Sequence, residues 1–573
     1  MRRIVLEPGE VFTNKHLKRT GAFNAAALTA ATSIIEGVRE RGDEALRAYT
    51  EQFDGVRVEN FRVSQAAIAE AIVNVDDKTA KALRQAAVQI RDFHERQKQQ
   101  SWFTVREDGA LVGSKVEPLE SVGIYVPGGR ALYPSSVLMN AIPAAVAGVG
   151  RIVCVTPPTA DGSLDPAILE ACRISGVTEI YAVGGAQAIA ALAYGTESIA
   201  PVAKITGPGN AYVAAAKKVV SGDVGIDMIA GPSEVCVVAD STADPALVAI
   251  DLMAQAEHDP LAACYLVTFD AAYADEVERM VERHLKSSTR AEITAASLAD
   301  QGLIVVCDSM PQAIEAVNAI APVAKITGPG NAYVAAAKKV VSGDVGIDMI
   351  AGPSEVCVVA DSTADPALVA IDLMAQAEHD PLAACYLVTF DAAYADEVER
   401  MVERHLKSST RAEITAASLA DQGLVVVCDS MPQAIETVNV IAPEHLELHV
   451  DHAFDLLGAI RNAGAIFLGA WTPEAVGDYA AGPNHTLPTG GTARYASPLS
   501  VDEFVKKSSV IQYSAPALAR DADMVMTIAL HEGLWAHAMS VEMRKNLLDT
   551  GNVFGIEGGD GAGRADGDGG ADA

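Results

Sequence analysis

The chain has 573 residues, half of them hydrophobic, enough to bury two or three packed cores. Its 75 Asp and Glu against 43 Lys and Arg leave a formal net charge of −32, which argues against nucleic acid or anionic membranes as partners. No apolar run approaches the roughly 20 residues that span a bilayer. The start, Met-Arg-Arg-Ile-Val-Leu-Glu-Pro, has no signal-peptide core, so a cytoplasmic protein is expected. The eight cysteines stand singly and read as reduced core residues.

In chain order, residues 24–100 carry helical periodicity, and 1–120 are expected to form a helical N-terminal part. From 121 the texture changes. Strands are predicted at 121–126, 152–156, 179–183 and 203–206, with helices at 137–146, 166–172 and 211–219 between and after them. Further strands at 235–240, 264–268 and 303–307 alternate with helices at 244–257 and 272–286. This rhythm, with glycines at strand ends, predicts an α/β fold of two Rossmann-like parallel-sheet domains with ligands at the carboxyl edges. Residues 121–199 are expected to form the first part of an α/β domain. A C-terminal part spans 442–554, and the Gly-, Asp- and Ala-rich stretch 555–573 is expected to be a disordered acidic tail.

Residues 200–320 recur as 321–441 with an offset of 121. Only Ile304 against Val425, Ala316 against Thr437 and Ala319 against Val440 distinguish the copies. Repeat architectures have periods of about 20–50 residues, so this is a tandem duplication within an existing enzyme. One copy carries 17 acidic against 7 basic residues, so the chain without it would still be near −22. An acidic surface suited to a saline cytoplasm is therefore expected.

Several segments carry candidate chemistry. Gly207-Pro-Gly-Asn210 follows a strand and opens a helix, a weak phosphate-site signal that misses the dinucleotide fingerprint. Gln-Ala-Glu-His at 255–258, repeated at 376–379, puts an amide and an imidazole three residues apart on one helix face, where both can reach one metal. The C-terminal part supplies Glu444-His445, Asp478, His485, Glu532 and His537, a group of single-copy residues suited to metal binding or acid–base work.

Together with Gly-Ile-Tyr-Val-Pro-Gly-Gly at 123–129, Gly-Gly-Ala-Gln at 184–187, Asp-Met-Ile-Ala-Gly-Pro-Ser-Glu at 227–234, Gly-Pro-Asn-His-Thr-Leu-Pro at 482–488 and Glu-Gly-Leu-Trp-Ala-His at 532–537, these segments make the chain resemble the histidinol dehydrogenase family. The likeness runs from near the N-terminus to about residue 550. It implies a zinc- and NAD-dependent four-electron oxidation of histidinol to histidine by a homodimer. Glu444 and His445 would be the catalytic bases. Residues 121–199 would be the first part of a nucleotide-binding domain. Tyr125, Gln187 and Asn331 would contact NAD, and Ser354, His485 and Glu532 the substrate. Zinc would be held by Gln376, His379, Asp478 and, from across the dimer interface, His537. Alternatives are a same-scaffold dehydrogenase for another small alcohol, such as a sulfonated diol, or a zinc- or nucleotide-binding protein inactivated by the duplication.

The duplication sets Asn210, Ser233, Gln255 and His258 of copy 1 against Asn331, Ser354, Gln376 and His379 of copy 2. The Glu-His pair exists once, because Val323-Ala324 replaces it after copy 1. Copy 2 is therefore expected to complete both α/β domains, with copy 1 inserted before the strand at 324–327. Long insertions at surface loops cost little closure entropy. A hybrid would instead combine Asn210 with Gln376 and His379.

Overall fold

The computed structural model describes residues 1–13, 16–17, 25–107, 109–128, 132–229, 233–320, 325–326, 338–339, 346–347, 349–350, 352–477, 481–500, 502, 510–551 and 553. Asn331, Asp478 and the tail 555–573 lie outside them.

The N-terminal part contains β1 (Arg2–Val5), helices α1 (Ala25–Asp54), α2 (Gln65–Ile72) and α3 (Asp77–Glu95), and the hairpin β2 (Trp102–Val105) and β3 (Leu111–Ser114). The first α/β domain follows as β4 (Ser121–Tyr125), α4 (Pro134–Ala147), β5 (Arg151–Thr156), α5 (Pro166–Ser175), β6 (Glu179–Ala182) and α6 (Gly185–Tyr194). Copy 1 adds β7 (Lys204–Thr206), α7 (Ala211–Val220) and β8 (Gly225–Ile226). It continues with β9 (Glu234–Val238), α8 (Pro245–Ala256), β10 (Ala263–Thr268), α9 (Ala271–Leu285), α10 (Ala291–Asp300), β11 (Leu303–Val306) and α11 (Met310–Ile320).

Copy 2 contributes β12 (Lys325–Ile326), β13 (Gly346–Ile347), β14 (Glu355–Ala360), α12 (Pro366–Ala377), β15 (Ala384–Thr389), α13 (Ala392–Leu406), α14 (Ala412–Gln422), β16 (Gly423–Val427) and α15 (Met431–Ile441). The C-terminal part adds β17 (His445–His449), β18 (Ala465–Leu468), α16 (Ala515–His531) and α17 (Trp535–Thr550).

The first sheet is parallel, with order β6-β5-β4-β7-β8. Its residues alternate between two cores. Val153, Val155, Tyr181 and Ile205 face α1, α6 and α7, while Ile124, Ile152, Cys154 and Ile180 face α4 and α5. Burial on both faces is what an all-parallel sheet requires. Each fully buried aliphatic side chain contributes about 1.5–3 kcal/mol. Aspartate caps with proline in the first turn start α5, α8 and α12 in the same way.

The parallel α/β class is as expected, but the repeat is shared out differently. Copy 1, not copy 2, completes the first sheet, because β7 follows α6 after only a short connection and takes the edge of β4 first. The equivalent strands of copy 2, β12 and β13, pair only with each other among the described residues. The second domain is then built twice. Copy 1 forms the sheet β1-β11-β10-β9, and copy 2 forms β16-β15-β14-β17-β18. The strand holding the Glu-His pair follows α15 directly and so joins β14 rather than β9. Copy 1 is neither bulged out nor idle: its first strands complete the first sheet and its later strands form a sheet of their own with β1. The N-terminal part also departs from all-helical, because β1 joins copy 1 and β2-β3 form an antiparallel pair. No helix among the described residues is long and apolar enough to cross a membrane.

Candidate functional site

Three places collect the chemistry-bearing residues. The first is the carboxyl edge of the first sheet, where the strand order reverses between β4 and β7. Such a switch point opens a crevice for ligands in doubly wound sheets. Tyr125 ends β4, and its buried hydroxyl accepts a hydrogen bond from the Gly185 amide at 3.1 Å. Burial pushes this phenol up to about 12, so it stays protonated. Gln187, in the first turn of α6, is buried with both amide atoms unpartnered. Gly207 sits at φ +113°, and a Cβ there would meet the Tyr125 carbonyl, so only glycine permits this approach. Asn210 spends its side-chain oxygen capping α7, accepting from the Tyr212 and Val213 amides at 3.0 and 3.1 Å. Its repeat-mate Asn331 lies outside the described residues; Asn210 stands in the first domain because it caps the helix that follows β7, the strand paired with β4.

The second place is the amino edge of the copy 2 sheet. Glu444 and His445 open β17 and are both buried. The Glu355 amide donates to Glu444 Oε2 at 3.2 Å, and His445 Nδ1 lies 3.3 Å from the Glu355 carbonyl. Glu474 Oε1 stands 3.8 Å from His445 Nδ1, and Glu444 Oε2 stands 4.0 Å from it. Burial pushes the Glu355 carboxyl up, opposed by the Gly490 and Gly491 amides. Ser354, half-buried, precedes β14 at the same edge. Helix α12 runs back across the sheet, so Gln376 and His379 also end there. Gln376 is fully buried with both amide atoms unpartnered, whereas His379 is exposed. The candidate residues therefore stand at the carboxyl edge of the first sheet and at the amino edge of the copy 2 sheet.

The third place is the amino edge of the copy 1 sheet, where the chain itself brings His537 to the repeat-mate of His379. His537 meets His258, not His379: the two Nε2 atoms are 3.1 Å apart. Glu257 is the brace. Fully buried, it accepts from the Ala536 and His537 amides at the start of α17 at 2.9 and 3.1 Å, and from His537 Nδ1 at 2.9 Å. Holding the Nδ1 proton leaves the other ring nitrogen as a ligand atom, the usual outer support of a metal-bound histidine. Burial, then the neighbouring His537, depresses His258 to about 4, so it is neutral at ordinary pH. Gln255 adds a buried, unpartnered amide nitrogen. Two nitrogens at this spacing fit neighbouring ligands of one tetrahedral zinc, whose bonds of about 2.0–2.1 Å set them roughly 3.3 Å apart. Glu532, buried and thereby raised, accepts from the Ser135 amide at 3.0 Å. Its charge and that of Glu257 both act on Tyr133, so Glu532 belongs to this same surrounding.

Sequence reasoning passed over two groups. Glu257 lies between the two motif residues it helps to position. A buried cluster of Asp372, Glu447 and His449 places its ligand atoms within 4.8 Å of one another, a set that could hold a cation. His449 Nε2 stands 3.1 Å from Glu447 and 3.4 Å from Asp372. Alternate polar residues along β17 (445, 447 and 449) signalled that these side chains share a face. His485 is exposed and lines a 390 Å³ cavity with Tyr495 and Phe467, whose ring centroid lies 5.9 Å from that of His445. Asp478 lies outside the described residues.

The model of the histidinol dehydrogenase family matches residues 17–323 and again 319–545. The chain belongs to the histidinol dehydrogenase family. The two matches overlap where copy 1 gives way to copy 2. Histidinol dehydrogenase from Bacillus subtilis (strain 168) is 42% identical over 516 residues, covering 90% of this chain and 92% of that protein. The enzyme from Geobacter sulfurreducens is 42% identical over 514 residues, covering 89% and 91%. Among solved structures, histidinol dehydrogenase from Elizabethkingia anophelis aligns at 28% identity over 96% of this chain and 99% of that one, with a TM-score of 0.36.

Proposed function

We propose that this chain oxidises L-histidinol to L-histidine in two NAD-linked steps with a resident zinc, the closing steps of histidine biosynthesis, in the cytoplasm. The observation that carries the metal assignment is the His258–His537 nitrogen pair braced by Glu257. The orphaned amides of Gln255 and Gln376 support glutamine as a third ligand in either copy. Asp478 is proposed as the fourth. For NAD, the unpartnered Gln187 amide and the tight Gly207 turn at the switch point support Tyr125 and Gln187 as contacts, with Asn210 replacing Asn331 beside them.

Bound at these residues, zinc fixes the imidazole and amine of the substrate, and NAD accepts the hydride of each oxidation. His445 takes the hydroxyl proton in the first oxidation, an imidazole being the side chain suited to general-base work near neutrality. Glu444 then removes a proton from the water that adds to the aldehyde. That water supplies the second carboxylate oxygen, so one alcohol and one water yield one carboxylate, two NADH and three protons. Ser354, His485 and Glu532 hold the substrate.

A working site needs His537 beside the copy that carries the Glu-His pair. In this chain, α17 packs along α8 of copy 1, burying Ile250 completely. The same face of α12 in copy 2 leaves Ile371 43% exposed and Leu368 equally so. We therefore infer a homodimer in which α17 of one chain leaves its own α8 and docks on α12 of the other, exchanging His258 for Gln376 and His379. Burying the two exposed aliphatic residues, about 1–2 kcal/mol each, offsets the uncovering of Ile250 and its neighbours on α8. The test is NADH production from histidinol and NAD by the purified protein, before and after a chelator. Two NADH per histidinol, lost with the chelator and restored by zinc, is the expected result. Turnover insensitive to zinc removal, or one NADH per substrate, overturns the reading.

A further inference from the structure

In copy 1, β1 lies parallel on β11, with Arg2 opposite Leu303 and Val5 opposite Val306. Side chains fasten the segment further. Arg3 forms ion pairs with Asp275 at 2.7 Å and Glu278 at 2.6 Å on α9. The Gln312 amide donates to the Glu7 and Glu10 carbonyls, each at 2.9 Å. Leu6 and Phe12 are buried in one cluster with Ala313 and Ala316.

Copy 2 repeats every acceptor of this segment 121 residues later: β16, Asp396 and Glu399 on α13, Gln433 and Ala434 on α15. Among the described residues β16 pairs with β15 alone and is the sheet edge. Leu424 and Val427 are 51% and 49% exposed, where their counterparts Leu303 and Val306 are 1% and 6% exposed. Asp396, Glu399 and Gln433 are exposed too.

We propose that the β16 edge of copy 2 is a strand-acceptor site for the N-terminal segment, residues 1–12, of a second copy of this chain. The segment adds in parallel to β16, its main chain completing the ladder that the edge leaves open, and Arg3 enters between Asp396 and Glu399. This is strand addition to a free edge, and its occupant is defined because an almost identical acceptor already holds it. Each chain has one such segment and two slots. The segment's own copy 1 slot wins at low concentration, since tethering gives it an effective concentration in the millimolar range. Exchange into a neighbour's copy 2 slot is heterologous and extends head to tail. The slots differ at Val425 for Ile304, Val440 for Ala319 and, inside the buried cluster, Thr437 for Ala316. Ala316 is fully buried in the cluster with Leu6 and Phe12, whereas the Thr437 hydroxyl bonds to the Gln433 carbonyl at 2.9 Å. Copy 2 is thus the looser slot.

The test uses a labelled synthetic peptide of residues 1–12 titrated with the full-length chain and read by fluorescence anisotropy, with no substrate present. Saturable binding at one site per chain is expected. Asp396→Lys with Glu399→Lys weakens it about tenfold, in line with two surface ion pairs, and Thr437→Ala tightens it. Both acidic residues are exposed, and unchanged circular dichroism of the variant checks its fold. Three results overturn the proposal: absence of binding, equal binding of a scrambled peptide, or binding abolished by Asp275→Lys with Glu278→Lys yet indifferent to the copy 2 pair.

Discussion

Helices α8 and α12 are the same twelve residues, begun by the same aspartate cap and the same proline, yet they live in different surroundings. Along α8, Ile250 is buried under α17, and Asp251 pairs with Arg544 at 2.5 Å while accepting from the Ser540 hydroxyl at 2.8 Å. Along α12, Ile371 is open to solvent and Asp372 faces Glu447 and His449 instead. Helix formation is therefore written locally, in caps and periodicity. Burial, partners and charge state are assigned by whichever single-copy element folds alongside. One chain supplies one β1, one β17-β18 pair and one α17, so two identical lobes divide them. Copy 1 receives β1 and α17, and copy 2 receives the strand with the Glu-His pair.

The largest effect that breaks this symmetry comes from a residue with no second copy. His445→Asn is expected to lower the rate of NADH formation by about 10²–10⁴, and neither lobe can compensate. A rate within tenfold of the parent would remove His445 from the base role.

A smaller but sharper test sets the copies against each other. His379→Asn is expected to abolish most turnover, because it strips the ligand nearest the single Glu-His pair. His258→Asn should lower bound zinc, measured by atomic absorption, while leaving at least half of the turnover. The reverse pattern would assign the working metal site to copy 1, where His537 is seated in this chain.

Much of this was legible beforehand. The strands at 121–126, 152–156 and 179–183 come from apolar runs ending in turn residues, and they emerge as β4, β5 and β6. The neighbours Glu444 and His445 needed no fold to be placed together. The partition of the repeat was not legible, because identical sequences hold no local signal for choosing between lobes. What decides is chain connection: β7 follows α6 closely and β17 follows α15 closely, so each takes the nearest edge. The strand at residues 2–5 was hidden for a related reason. Four residues are too few for periodicity, and its partners on β11 lie just over 300 residues away in sequence. Glu257 was overlooked because the metal pattern drew attention to its neighbours. Its spacing of seven from Ile250 puts it on the same helical face, the one that α17 covers.

The smallest expected effect concerns Asp251 and Asp372, one residue written twice. Burial, then the Glu447 charge, pushes the Asp372 carboxyl up to about 7, with His449 opposing. Its folded value lies above its ordinary one of 3.8, so the folded state holds a proton that the unfolded chain has released. Stability from this group is therefore present below about pH 4 and declines as pH rises toward 7. Asp372→Asn removes the ionisation while keeping the shape. The variant should show a flatter loss of urea midpoint between pH 4 and 7 than the parent, and be equal or more stable at pH 7. Asp251→Asn should do the opposite at pH 7, since it weakens a charge-assisted pair with Arg544. That pair is about one-third exposed, so the loss is limited to roughly 1 kcal/mol. Parallel pH profiles for the parent and Asp372→Asn would mean that Asp372 does not change its ionisation over this range, overturning the reading that burial and the Glu447 charge hold its proton.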